Sequence, residues 1–270
     1  MKKQIYKVVI GLIGLMALLP ILITFTNSFM WPTEINYRYE ERKPMLTLIP
    51  SRATLYQYYT LLVERFEYLG MFWRSIWLTL MIVAGQVIYS VCTGSILGNI
   101  HTKWGRVIKT CYILGMFMPY QVLMLPSYIQ MKHIGLLGSD RSIVLPASFS
   151  PVGVVLVMFV VSNLPKELIE AVSLESSSWF QILKVAILPQ IKGILTVLGI
   201  FTFAEVWNMV EQPITMFESV RQYPLSVQLA YMKEDQMIIF ASCVVYMIPV
   251  ILLSFYFQES LDEELASIKW

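Results

Sequence analysis

An all-α membrane protein crossing the bilayer six times is the fold class this sequence predicts, on three observations. Only 14% of residues are charged, against about 25% in an average soluble domain, and mean hydropathy is +0.63. Charges are absent altogether between Lys7 and Glu34, Arg74 and Lys103, Lys109 and Lys132, Arg141 and Lys166, and Asp235 and Glu259, and each gap holds a spanning helix of about 20 residues. The runs also lack the alternation of barrel strands. Lipid offers no partner to a free N–H or C=O, so they must be helices.

The first span follows Lys2, Lys3 and Lys7 and continues past Pro20 to Met30. Its length and the lack of a small-residue cleavage signal set it apart from a signal peptide. A long loop from Trp31 to Phe72 comes next, and the aromatic-rich segment from Tyr56 to Trp73 reads as a surface-lying helix. The second, third, fourth and sixth spans fill the remaining gaps. The fifth runs from Gly193 to about Phe217 and is interrupted by Glu205 and Glu211. Lys103, Arg106 and Lys109 read as a basic loop between spans two and three, which with the basic N-terminus places that side in the cytoplasm.

Pro119, Pro126 and Pro249 read as kinks in packed helices rather than ligand contacts. Cys92, Cys111 and Cys243 fall inside spans and read as small packing groups, with no disulfide or metal site expected. The chain has two histidines, His101 and His133, no phosphate-cradling GxxxxGK[ST] and no HExxH. It is therefore not expected to be an enzyme or to carry catalytic residues, and any energy input must come from a partner.

Residues 163–189, between spans four and five, are charged and helix-forming. Pro165 suits a first helical turn and Glu167 the positive end of the helix dipole. Leu168 and Val172 share one face with Leu164, while Glu167, Glu170 and Ala171 can face a partner or water. Ser176, Ser177 and Ser178 break that helix and offer N-caps for a second, carrying Trp179, Phe180, Leu183 and Ile187, with Pro189 where the chain re-enters the membrane. On these residues alone the segment is either a docking element or amphipathic helices lying on lipid headgroups.

Glu170-Ala171 followed at a fixed distance by Leu188-Pro189 resembles the EAA loop of ABC-type importer permeases. In that family the loop forms a short cytoplasmic helix seated in a cleft of the ATP-hydrolysing subunit. Val172 stands in place of the second alanine, Ser176 of the glycine and Ala186 of the isoleucine. Met118–Pro146, through Pro119, Gln121, Pro126, Gly135, Leu136 and Pro146, is similar to the third-span region of the smaller permease of maltose-type carbohydrate importers. Phe201–Pro213, through Trp207, Asn208 and Pro213, is similar to its fifth-span signature. Departures are Arg74 before Ser75, where asparagine is usual, and a C-terminal ESLDEELASIKW without the customary glycines.

The resemblance implies an ABC importer type I permease fold, with the first span and outer loop over 1–71, a transmembrane core over 72–258 carrying the coupling loop 163–189, and a cytoplasmic tail over 259–270. It implies ATPase coupling through Glu167, Glu170, Ala171, Val172, Glu175, Ser176, Leu188 and Pro189. Its implied partners are a second, homologous permease, two ATP-binding subunits that hold ATP and Mg, an extracellular solute-binding protein, and a sugar or oligosaccharide. The chain itself would bind no cofactor and no nucleic acid. It would lie in a bacterial cytoplasmic membrane with both termini inside.

Gln121, Glu205, Trp207 and Asn208 are the candidates to line a passage. An amide and an aromatic ring suit a sugar's hydroxyls and C–H face, and helix packing accounts for Trp207 and Asn208 equally well. Glu205 is the most costly residue in the spans, at roughly 2.5–3.5 kcal/mol on insertion scales. It should face the bundle, a cavity or a partner, and a structural polar pair is the preferred reading. Proton coupling through Glu205 would instead make the chain a secondary transporter, which predicts internal repeats that the two halves do not show. A non-transporting scaffold fits the composition but not the EAA-like segment.

Overall fold

The computed structural model describes residues 2–40, 49–175, 178–231 and 236–267. In chain order the helices are α1 (Lys2–Asn27), α2 (Pro32–Ile35), α3 (Tyr56–Tyr59), α4 (Phe66–Asn99), α5 (Lys103–Gly115), α6 (Tyr120–His133), α7 (Arg141–Ser148), α8 (Pro151–Ser162), α9 (Lys166–Glu175), α10 (Trp179–Ile182), α11 (Lys192–Trp207), α12 (Glu211–Met216), α13 (Leu225–Tyr231) and α14 (Ile239–Ser267). Wider π turns occur at Asn36–Glu40, Thr60–Glu64 and Leu183–Ile187. No strand forms among the described residues, where Met30 and Ala53 make an isolated bridge.

Four stretches are long and apolar enough to cross a membrane: Tyr6–Asn27, Phe66–Asn99, Arg141–Ser162, which is interrupted between α7 and α8, and Ile239–Gln258. Two bent helix pairs are long and apolar enough only when each is taken together, Lys103–Gly115 with Tyr120–His133 at 108° and Trp179–Ile187 with Lys192–Trp207 at 91°, which brings the spans to as many as six. Composition reveals how much apolar chain there is but not where it folds back, and three local expectations change accordingly. The basic stretch from Lys103 to Lys109 is helix, not loop, because Thr102 caps it: its Oγ1 accepts the Gly105 N–H at 3.1 Å. The following bend falls where Pro119, with no N–H to donate and a ψ of 143°, sits at the N-cap of α6. The fifth span ends at Trp207, where the Asn208 side chain donates to the Ala204 carbonyl at 2.8 Å, so Glu211 opens a separate short helix. Tyr56–Trp73 is likewise not one surface helix but α3, a π turn and the first turns of α4.

Contacts divide the chain into two compact units, one of Met1–Arg74 with Pro224–Ile251 and the other of Ser75–Tyr223 with Leu252–Trp270. The first is organised around Gln57, which is fully buried. Its Nε2 donates to the carbonyls of Asn27 and Met30, each at 2.8 Å, and its Oε1 accepts the Ala241 N–H at 3.3 Å. One amide therefore ties the end of α1, where the Asn27 carbonyl also accepts the Met30 N–H at 3.0 Å, to the first turn of α14. Leu61, Tyr68, Leu225, Ile238 and Ala241 form the apolar core beside it. Asn27 also donates to the Tyr39 hydroxyl at 2.7 Å, and burial pushes that phenol above its ordinary pKa despite nearby Arg38.

In the second unit α4 and α8 meet through glycines. A β-carbon on Gly94 would lie 2.7 Å from Val157 Cβ, and one on Gly98 would lie 2.6 Å from Val161 Cγ1. Such contact has no room for a side chain, as at close helix crossings in lipid generally. Gly98→Leu is expected to destabilise the protein by about 1–3 kcal/mol, seen as a lowered thermal midpoint in detergent. An unchanged midpoint would show that the two helices can part without loss. Gly135 is needed for a different reason, since its φ of +69° closes α6. The Leu136 N–H reaches the Met131 carbonyl at 2.9 Å and the Gly135 N–H that of Lys132 at 3.1 Å, the paired bonds of a Schellman ending.

Candidate functional site

The charged segment between spans four and five folds as α9, a bend, α10 and a π turn. Leu168, Ile169 and Val172 are half-buried against a core of Val157, Val161, Ile182, Leu183, Ala186, Ile187 and Ile191. That packing clamps one face of α9 to spans four and five. Glu167, Glu170, Ala171 and Leu174 form the opposite face and are all exposed, Leu174 by 89%. These four follow the i, i+3, i+4, i+7 spacing of a single helical stripe.

Each coupling candidate then has a definite place. Glu170 and Ala171 lie side by side on the outer stripe with Glu167, whereas Val172 faces the core. A valine in place of alanine is accommodated there because it packs rather than projects. Ala186, in place of isoleucine, is buried in the same core, Leu188 is half-buried against it, and Pro189 is exposed in the turn that follows. Glu175 is the last residue of α9, and Ser176 and Ser177 lie outside the described residues. Ser178 stands at the N-cap of α10. Leu174 was missing from the sequence expectation, although its position seven residues after Glu167 and three after Ala171 was available to find it.

A second feature of the same unit is an open cavity of about 270 Å³, with walls from α4, α6, α8, α11 and α12 and from the ends of α5 and α7 with the residues that follow them. Its polar lining comprises Gln86, Tyr120, Ser127, Ser150, Thr202, Glu205 and Gln212. Gln86 is already engaged, accepting from Thr202 Oγ1 at 2.9 Å and donating to the Ala147 carbonyl at 2.8 Å, which braces α4 to α11 and α7. Glu205 is exposed, and the polar partner expected for it within the chain is not found among the described residues.

The other passage candidates are dispersed. Trp207 is only 1% exposed and stacks on Phe203 with ring centroids 5.7 Å apart. Asn208 closes α11, and Gln121 Nε2 donates to a Glu211 carboxylate oxygen at 3.1 Å on the exposed surface. The cavity wall is thus built largely by residues the sequence had not singled out. Their convergence depends on the bends in spans three and five, which hydropathy does not report.

Residues 90–267 match the family described as "Binding-protein-dependent transport system inner membrane component". An arabinooligosaccharides transport system permease protein, AraQ, of Halalkalibacterium halodurans is 25% identical over 252 residues, covering 91% of this chain and 88% of that protein. The multiple sugar-binding transport system permease protein MsmG of Streptococcus mutans is 25% identical over 199 residues, covering 72% of this chain and 69% of MsmG. The fold matches a crystal structure of a bacterial ABC transporter involved in import of the acidic polysaccharide alginate, with a TM-score of 0.84, 19% identity and 95% of each chain covered. The family match extends from the second span to the end of α14 and takes in both α9 and most of the cavity wall. With well over half its length matched, the chain belongs to the binding-protein-dependent transport inner membrane components, the permeases of ABC importers.

Proposed function

We propose that this permease carries a sugar or oligosaccharide across a bacterial cytoplasmic membrane and takes its energy from ATPase subunits docked on α9. The observation that carries the coupling reading is the division of α9 between an apolar face packed against spans four and five and an exposed stripe of Glu167, Glu170, Ala171 and Leu174. A helix clamped in this way passes a push on its outer face to the spans it is packed against. The small Ala171 allows close approach, the neighbouring carboxylates offer charge, and Leu174 offers apolar area. Saccharide cargo is supported by the relatives named for arabinooligosaccharides and multiple sugars.

The working assembly is this chain with a second, homologous permease, two subunits that bind ATP and Mg, and an external solute-binding protein. Both termini and α9 are then cytoplasmic, in keeping with Lys2, Lys3 and Lys7 at the N-terminus and Lys103, Arg106 and Lys109 on α5. The cavity is this chain's share of the passage. In vesicles reconstituted with the whole assembly, saccharide uptake should require ATP and continue when a protonophore collapses the proton gradient. Loss of uptake to the protonophore at constant ATP would instead favour proton coupling through Glu205. In intact cells, labelling of Ser173→Cys by an impermeant thiol reagent, with none at Ser51→Cys, would reverse the orientation.

A further inference from the structure

The cavity wall has a charge asymmetry that bears on which saccharides can pass. Among its described lining residues are hydroxyls, amides and apolar side chains, and Glu205 supplies the one charge, with no lysine, arginine or histidine among them. Nor does any described residue of the chain neutralise Glu205 through a hydrogen bond or ion pair. Gln86 spends its Oε1 and one of its two Nε2 hydrogens within the protein, and it carries no charge to offset an incoming anion. In an open cleft of about 270 Å³, a carboxylate without a compensating cation sets the sign of the local potential, since a cleft lined by one sign of charge raises the local concentration of the opposite sign.

We propose that this cavity selects its cargo by charge, admitting neutral and cationic saccharides and excluding anionic ones such as uronates and sugar phosphates. A neutral saccharide donates hydroxyl hydrogen bonds to the Glu205 carboxylate, and an amino sugar adds an ion pair. An acidic saccharide brings a second negative charge to a wall whose described residues include no cation to receive it. The proposal rests on the cavity being this chain's part of the passage, and it narrows the substrate class of that passage.

The test is made on the assembled importer with the free thiols Cys92, Cys111 and Cys243 replaced by alanine. Ser127→Cys and, separately, Gln212→Cys place a reporter on the cavity wall. Each is treated with a methanethiosulfonate bearing a trimethylammonium group and with one bearing a sulfonate, the rates being normalised to those on a free thiol in solution. The cationic reagent should react faster by about tenfold or more, and Glu205→Gln should bring the ratio towards one. Equal normalised rates at both positions with Glu205 intact would overturn the proposal, and they are the result expected if a neighbouring subunit supplies Glu205 with a cation. A cationic preference that survives Glu205→Gln, or no reaction with either reagent, would overturn it as well. Modification needs no transport cycle, so absence of saccharide uptake counts against the passage reading without deciding the charge of the wall.

Discussion

Ala171→Arg is expected to leave the spans inserted and the two permeases paired, yet to release the ATPase subunits or let them hydrolyse ATP without uptake. Ala171 is exposed on the outer stripe of α9 and takes no part in the core that holds the helix. The substitution therefore acts on a docked partner and leaves the fold of the chain intact. A long cation forced into a fitted helix contact costs about 1–3 kcal/mol, and about 1.4 kcal/mol already amounts to tenfold in affinity. Glu170→Ala should show a milder form, because it removes a charge without adding bulk. The adjacent Val172→Arg supplies the contrast: that side chain faces the core of Leu183 and Ile187, so the change should destabilise the permease itself. Copurification of the ATPase subunits, measured beside transport rate, separates the two outcomes. An Ala171→Arg complex that kept its ATPases and transported at the native rate would end the docking assignment.

Gln57→Leu should be among the most destabilising single substitutions available in the chain. Leucine fills much of the same volume but leaves the Asn27 and Met30 carbonyls and the Ala241 N–H without the partner they have in the native protein. Stranding a buried polar group costs about 1–3 kcal/mol. With neighbouring backbone donors sharing part of the load, a total of about 2–4 kcal/mol is expected, in the range reserved for disrupted buried networks. Thermal unfolding of the purified complex in detergent would register it as a clear fall in midpoint. A variant melting with the native protein would show that the amide is not what holds these helix ends.

The positions of the spans were legible in the sequence because lipid acts on composition locally: a run without charge, long enough to cross, is nearly obliged to be helix. The two faces of α9 were legible for a similar reason, since Leu168 and Val172 on one side and Glu167 and Glu170 on the other obey a 3.6-residue period. What escaped notice depends on partners distant in sequence. Trp207 reads equally well as a passage or a packing residue until Phe203 is found stacked on it. Gln57 looks like one polar residue in an aromatic loop, and its importance lies in an N–H 184 residues further on. The bends after α5 and before α11 left a trace in Pro119 and Pro189, but a proline marks a break without giving the angle through which the chain turns.

That separation of 184 residues also has a meaning in time. The chain emerges from the ribosome N-terminus first, so Gln57 is made long before Ala241. At a synthesis rate of about 5–20 residues per second the interval is roughly 10–40 s. Throughout it the end of the first span waits for a clasp whose last member has not yet been translated. Nascent chains cut short before the sixth span consequently leave Gln57 Oε1 without the Ala241 N–H that it accepts in the full-length protein.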